Sequence, residues 1–272
     1  MLTRLYRCLP AGLRDRVYTL FLGRLLAISR NPKLTWQGIC LKQRFRSYHV
    51  FFRDKYGIEV GGPSFIFGKR GIFPIYEKSR GIDGCNYASV TVWEGKIQDE
   101  VYRYGGATLG KQYIGEATEV ASLVGGKTYD FVISSNCLEH VANPVKALKS
   151  WLELLKPEGV ILLVVPNKKN NFDHRRPDTT FDHLIEDYTN GVTEEDTTHY
   201  EEIVSFHNLA RDSGIESMEA FKQRCLNNKE NRCFHHHVFH PDCLVSLFHY
   251  LDISILFSCS TEADHIILGQ KK

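Results

Sequence analysis

Apolar residues recur at Leu13, Val17, Leu20, Phe21, Leu25 and Ile28 with Arg14, Arg16 and Arg24 between them, a spacing that predicts an amphipathic basic helix. A second helical stretch is predicted from Leu41 to Lys55. From Ile58 the texture changes to short apolar segments bounded by glycine, at Ile58–Gly62, Asp83–Tyr87, Gln112–Ala117 and Tyr129–Ser135. A helix over Pro144–Leu155 follows, then Gly159–Pro166 with its unbroken run from Val160 to Val165. Apolar runs that alternate with helices predict an α/β domain with a mostly parallel central sheet buried on both faces. Asn143-Pro144 reads as a helix start, and Lys156–Gly159 as a stop and a turn into the next strand.

Residues 167–240 break this rhythm. They are polar and rich in His, Asp, Glu and Asn, with helical pieces at Thr180–Tyr188 and Ser217–Leu226, and they read as an inserted lid or substrate subdomain. The α/β pattern resumes with a helix at Pro241–Leu251 and strands near Ile253–Ser258 and His265–Leu268. Four parts are therefore expected: a basic N-terminal helical arm (1–56), the core (57–166), the His-rich insert (167–240) and a C-terminal helix and strands that complete the sheet (241–272).

Composition changes this picture little: 43% hydrophobic and 24% charged residues are those of a folded globular chain rather than a disordered one. Charge changes it more. Residues 1–55 hold twelve Lys and Arg against Asp15 and Asp54, so the arm carries +10 and the rest of the chain −8. Docking of the arm on the acidic body is the first expectation, a peripheral membrane contact the alternative, and no nucleic-acid partner is expected. The stretch free of charge near the N-terminus, Val17–Gly23, is far short of the roughly 20 residues of a membrane span. Eight cysteines without a CxxC pair point to a reduced, cytoplasmic protein. Oligomeric state is not legible.

The richest block for chemistry is Tyr129-Asp130-Phe131-Val132-Ile133-Ser134-Ser135-Asn136-Cys137-Leu138-Glu139-His140-Val141, followed by the helix and by Leu154-Leu155-Lys156-Pro157-Glu158-Gly159. It resembles the strand, loop, helix and turn of the methyltransferase type 11 family over about forty residues. The resemblance implies a Rossmann-like class I fold and S-adenosylmethionine as cofactor. It also implies that Asn136 and His140, on a loop at a strand's carboxyl end, lie where cofactor and acceptor meet. Glu59-Val60-Gly61-Gly62-Pro63-Ser64 resembles a divergent form of the family's first glycine loop, where Gly61 and Gly62 would let backbone amides approach the cofactor. Asp83, 22 residues after Gly61, stands at the spacing of the acidic residue that binds ribose. Glu116-Ala117 matches the acidic-small pair beside adenine.

Phe172-Asp173-His174-Arg175-Arg176 and Phe181-Asp182-His183 repeat a Phe-Asp-His triplet, and His199, His207, His235, His236, His237 and His240 follow. In the insert His174 is the expected general base, its tautomer held by Asp173, with His236 in reserve. Arg175 and Arg176 offer a clamp for an acidic group on the acceptor. No metal site is read, because neither HExxH nor a spaced Cys/His quartet is present. The expected activity is methyl transfer to an oxygen of a small-molecule or sugar acceptor; the alternative is a methyltransferase-like module that binds without catalysis.

Overall fold

The computed structural model describes residues 32–97, 100–212 and 214–272. The helix predicted over Leu13–Ile28 lies outside the described residues. In chain order the strands are β1 (Tyr56–Val60), β2 (Gly81–Asn86), β3 (Val90–Thr91), β4 (Gly95–Lys96), β5 (Val101–Tyr104), β6 (Ala107–Ile114), β7 (Tyr129–Ser135), β8 (Leu155–Pro166), β9 (Ile253–Ser260) and β10 (Asp264–Lys271). Eight of them form one sheet in the order β5-β6-β2-β1-β7-β8-β10-β9, and β3 pairs with β4 apart from it. The pairs β6–β2, β2–β1, β1–β7 and β7–β8 are parallel, whereas β5, β9 and β10 join antiparallel at the edges.

The central strands are those with continuous apolar runs, as burial on both faces requires: Tyr129, Phe131, Val132 and Ile133 of β7 and Val160 to Val165 of β8 are all buried. Chain order grows outward from β1 through β2 to β6, then reverses to the other side of β1 with β7 and β8. Such a reversal opens a crevice at the carboxyl ends of the two strands that flank it, here at Gly61 after β1 and Asn136 after β7.

The helices are α1 (Pro32–Arg44), α2 (Val120–Leu123), α3 (Pro144–Leu154), α4 (Phe181–Asn190), α5 (Tyr200–Phe206), α6 (Met218–Leu226), α7 (Asn228–Asn231) and α8 (Pro241–Tyr250). Asn143 caps α3 by accepting from Lys146 N at 3.0 Å, with Pro144 at the first position. The face bearing Val145, Leu148 and Trp151 packs with Val132, Leu163 and the apolar side of α8. Arm and core meet on the sheet's other face, where Phe45 and Phe52 are buried against Phe73, Phe131 and Phe257. This described part of the arm is thus held by aromatic packing. The predicted second helix over Leu41–Lys55 is instead the end of α1 followed by a tighter turn at Phe45–Phe51.

Two further boundaries differ from expectation. Strand β8 begins at Leu155, and the predicted turn at Lys156–Gly159 survives as a bulge: the pairing jumps from Tyr129–Leu155 to Phe131–Val160, with Glu158 at φ 62°. The segment before Gln112 is a hairpin, β5–β6, turned by Gly105 and Gly106 at φ 57° and 86°, a pair suited to positive φ. Among the described residues no helix is long and apolar enough to cross a membrane.

Candidate active site

The crevice opens as a cavity of about 890 Å³, a size that accommodates a nucleoside together with a small second ligand. One wall comes from the carboxyl ends of the parallel strands: Gly61, Asn86, Tyr87, Glu116, Ala117 and Asn136. Gly61 has φ 82°, and a Cβ there would stand 2.5 Å from the Cβ of Cys137, so the loops after β1 and β7 touch only because a side chain is missing. Beneath the loop the buried Glu59 carboxylate accepts from Tyr76 Oη at 2.5 Å and Tyr102 Oη at 2.8 Å, and burial pushes its pKa up to about 7. Gly62 is not in the wall; a Cβ on it would strike Glu59 at 2.2 Å. Its carbonyl accepts from Asn86 Nδ2 at 2.8 Å, which ties the ends of β1 and β2 together. The divergent loop therefore still brings one side-chain-free position, Gly61, to the cavity.

Asp83 lies outside the cavity wall. It sits three residues short of the end of β2, where its carboxylate takes Lys127 Nζ at 2.6 Å, Tyr129 Oη at 2.7 Å and the Lys111 backbone N–H at 2.9 Å. The count of 22 residues fell short because β2 reaches its carboxyl end only at Asn86, so Asn86 and Tyr87 occupy the position expected of the acidic residue. Glu116 and Ala117 do line the cavity, and Glu116 is ion-paired with Arg232 of the insert, whose guanidinium also lies 5.5 Å from the Tyr87 ring centroid.

The opposite wall is the insert and the loop after β7. His140 lines it, with Nδ1 donating to Phe234 O at 3.1 Å. Burial and the neighbouring His235 hold its pKa well below the usual imidazole range. Trp93, from the β3–β4 turn, stands with its ring 5.1 Å from that of His140. Glu139 is buried beside it with Oε2 unpartnered, and burial raises its pKa to about 7.

Neither histidine expected as base reaches the cavity. His174 lies outside its wall, with Nδ1 buried and unpartnered and Nε2 3.5 Å from Asn208 Nδ2. His236 lies outside the cavity wall too, beside Asn228 Nδ2 at 3.3 Å and Glu194 at 3.7 Å, and burial drops its pKa to about 3. The residue that sequence reasoning passed over is His235. Its ring forms part of the wall, and its Nδ1 lies 2.6 Å from Asp173 Oδ2. Asp173 therefore orients a histidine, but 62 positions away rather than its neighbour. Burial works against the charge on Asp173, yet His235 and Arg176 outweigh it and lower its pKa to about 2. Arg176 is no substrate clamp: buried itself, it bonds Asp173 Oδ1 at 3.1 Å, His235 O at 2.8 Å and Glu202 at 2.8 Å. Glu139, His140 and His235 together bring a carboxylate oxygen and two ring nitrogens within 4.8 Å of one another, a set able to hold a divalent cation.

A family model described as Methyltransferase domain matches residues 74–220, more than half of the 272-residue chain; its description carries no type 11 label. No curated protein matches the chain. Among solved structures it is similar to an O-methyltransferase family protein from Burkholderia thailandensis, with 11% identity, 86% of this chain and 58% of that chain covered, and a TM-score of 0.42. The chain thus spans less than two thirds of that protein. It is also similar to an S-adenosylmethionine-dependent methyltransferase from Methanosarcina mazei (15% identity, 83% and 97% covered, TM-score 0.45). A third is the N-methyltransferase NodS from Bradyrhizobium japonicum in complex with S-adenosyl-L-homocysteine (9% identity, 90% and 90% covered, TM-score 0.44). With the family model spanning β2 to β8 and much of the insert, the chain belongs to the methyltransferase domain family.

Proposed function

We propose that the cavity serves transfer of the methyl group to an oxygen of a small-molecule or sugar acceptor, with His235 as general base. The observation that carries this reading is the buried His235–Asp173 pair at 2.6 Å, whose His235 lines the same cavity as Gly61. S-adenosylmethionine, when bound, supplies a methyl group on a sulfonium, a leaving group that needs no acid. Gly61, Tyr87, Glu116 and Asn136 are the residues to hold it, and they leave the insert's side of the cavity for the acceptor.

What the protein must add is alignment and, for a hydroxyl, a place for the proton. Asp173 accepts from His235 Nδ1 and so leaves Nε2 as the acceptor nitrogen of the ring. When Nε2 takes the hydroxyl proton, the ionised Asp173, itself anchored by Arg176, stabilises the imidazolium. His140 stays neutral because burial opposes its charge, so it orients an acceptor hydroxyl by hydrogen bonding without competing for the proton. A reducing, cytoplasmic setting belongs to the same proposal, and the seven described cysteines, all free, suit it.

The test incubates the full chain with S-adenosylmethionine carrying a labelled methyl group and a panel of hydroxylated small molecules, sugars among them, and reads products by mass spectrometry. O-methylated product is expected. His235→Ala should lower its rate about 100-fold or more while affinity for S-adenosyl-L-homocysteine is kept. Methylation only at nitrogen or carbon, or normal turnover by the variant, would overturn the reading; no transfer to any acceptor would favour a binding module.

A further inference from the structure

A second histidine cluster lies in the insert, apart from the cavity wall. His183 and Asp187 are one helical turn apart on α4, His199 precedes α5, and His237 stands on the segment that leads into α8. Each offers one ligand atom, and these four atoms lie within 4.8 Å of one another. We propose that His183, Asp187, His199 and His237 bind a divalent transition-metal ion, zinc by preference, that pins the insert together beside the active site.

Spacing supports this first. Ligand atoms about 2.0 to 2.1 Å from a tetrahedral ion stand about 3.3 Å apart. Here His183 Nε2 is 3.0 Å from His199 Nε2 and 3.3 Å from Asp187 Oδ2, which in turn is 3.7 Å from His237 Nε2.

A second support is independent of spacing. Asp187 Oδ2 and His237 Nδ1 are buried without any hydrogen-bond partner, in residues only 7% and 1% exposed. Buried polar atoms seldom stay unpartnered, and a cation at the focus of the cluster would satisfy the Asp187 oxygen. The core also holds one ligand from behind: the backbone carbonyl of Asp187 accepts from Asn143 Nδ2 at 3.1 Å.

Donor chemistry then selects the ion. Three imidazole nitrogens and one carboxylate oxygen suit zinc and its borderline neighbours, not the oxygen-seeking calcium or magnesium. With four protein ligands the set is closed, as in structural rather than catalytic zinc sites. His183, its side chain 32% exposed, leaves a route for the ion to enter. The sequence hid this site because its ligands are 4, 12 and 38 residues apart along the chain, outside every compact zinc spacing.

The experiment strips the full chain with chelator, reloads it with zinc or cobalt, desalts it and measures bound metal. One zinc per chain is expected, and cobalt should give the strong visible bands of a four-coordinate site. His183→Gln and His199→Gln should weaken zinc binding about 100-fold or more, with folding checked by circular dichroism. His235→Gln, which alters the other cluster, should leave zinc binding intact. Failure of the wild type to retain metal, weak six-coordinate cobalt bands, or zinc that is lost with His235→Gln instead would each overturn the proposal. The wild-type cobalt spectrum decides even if the variants fail to fold.

Discussion

Asp83 illustrates how a residue can satisfy a spacing rule and still face away from the site. Its three partners, Lys127, Tyr129 and the Lys111 amide, fully occupy the carboxylate inside the sheet. Asp83→Asn should therefore lower the free energy of unfolding by about 1 to 3 kcal/mol, read from urea curves, while the dissociation constant for S-adenosyl-L-homocysteine stays unchanged. A weakened constant with unaltered stability would return the ribose role to Asp83. Asp173 and His235 show the converse. That Asp173 orients a histidine was legible, but which one depends on Arg176, whose bonds to the His235 and His236 carbonyls draw that segment onto the carboxylate. Adjacency along the chain favoured His174, and nothing in a linear pattern reports a contact made by a buried arginine. The signal available was the run Phe234-His235-His236-His237 ending a polar insert: consecutive side chains of an extended segment point to opposite sides, so at most some of its histidines share one site.

Among elements, β7, α3 and β8 were legible because their apolar runs and the Asn143-Pro144 start are strong local signals that tertiary packing reinforces. The β5–β6 hairpin was not. Its exposed and half-buried residues lack a continuous run, and its Gly-Gly turn reads as a generic loop. Two helices of the insert, α4 and α6, were placed to within a few residues, since Thr180 and Ser217 each cap the helix that follows by accepting from a backbone N–H, whereas α5 and α7 were not predicted. Asn143 does more than cap α3: its Nδ2 also bonds the Asp187 carbonyl near the end of α4, joining core to insert. Asn143→Ala should cost about 1 to 2 kcal/mol of stability. An unchanged urea midpoint would mean that water replaces both bonds without loss.

For the molecule as a whole, the sheet reversal opens the cavity, and the insert supplies part of its wall. Continuous strands made the fold class legible, whereas the insert's side of the cavity depends on chain that returns at Arg232, Cys233 and His235 to face loops of the core. Charge asymmetry predicted docking of the arm, yet Phe45 and Phe52 show that the described part is held by buried rings. The central claim is that one cavity, lined by Gly61 and by residues of the insert, holds the cofactor beside the His235–Asp173 pair. Hydrogen–deuterium exchange of the full chain, with and without saturating S-adenosyl-L-homocysteine, tests it most directly. Slowed exchange is predicted at residues 61–66, 86–87, 115–117 and 135–140, and also around 232–237, where Arg232 meets Glu116. Protection confined to surfaces away from these loops, or none at millimolar ligand, would contradict the account.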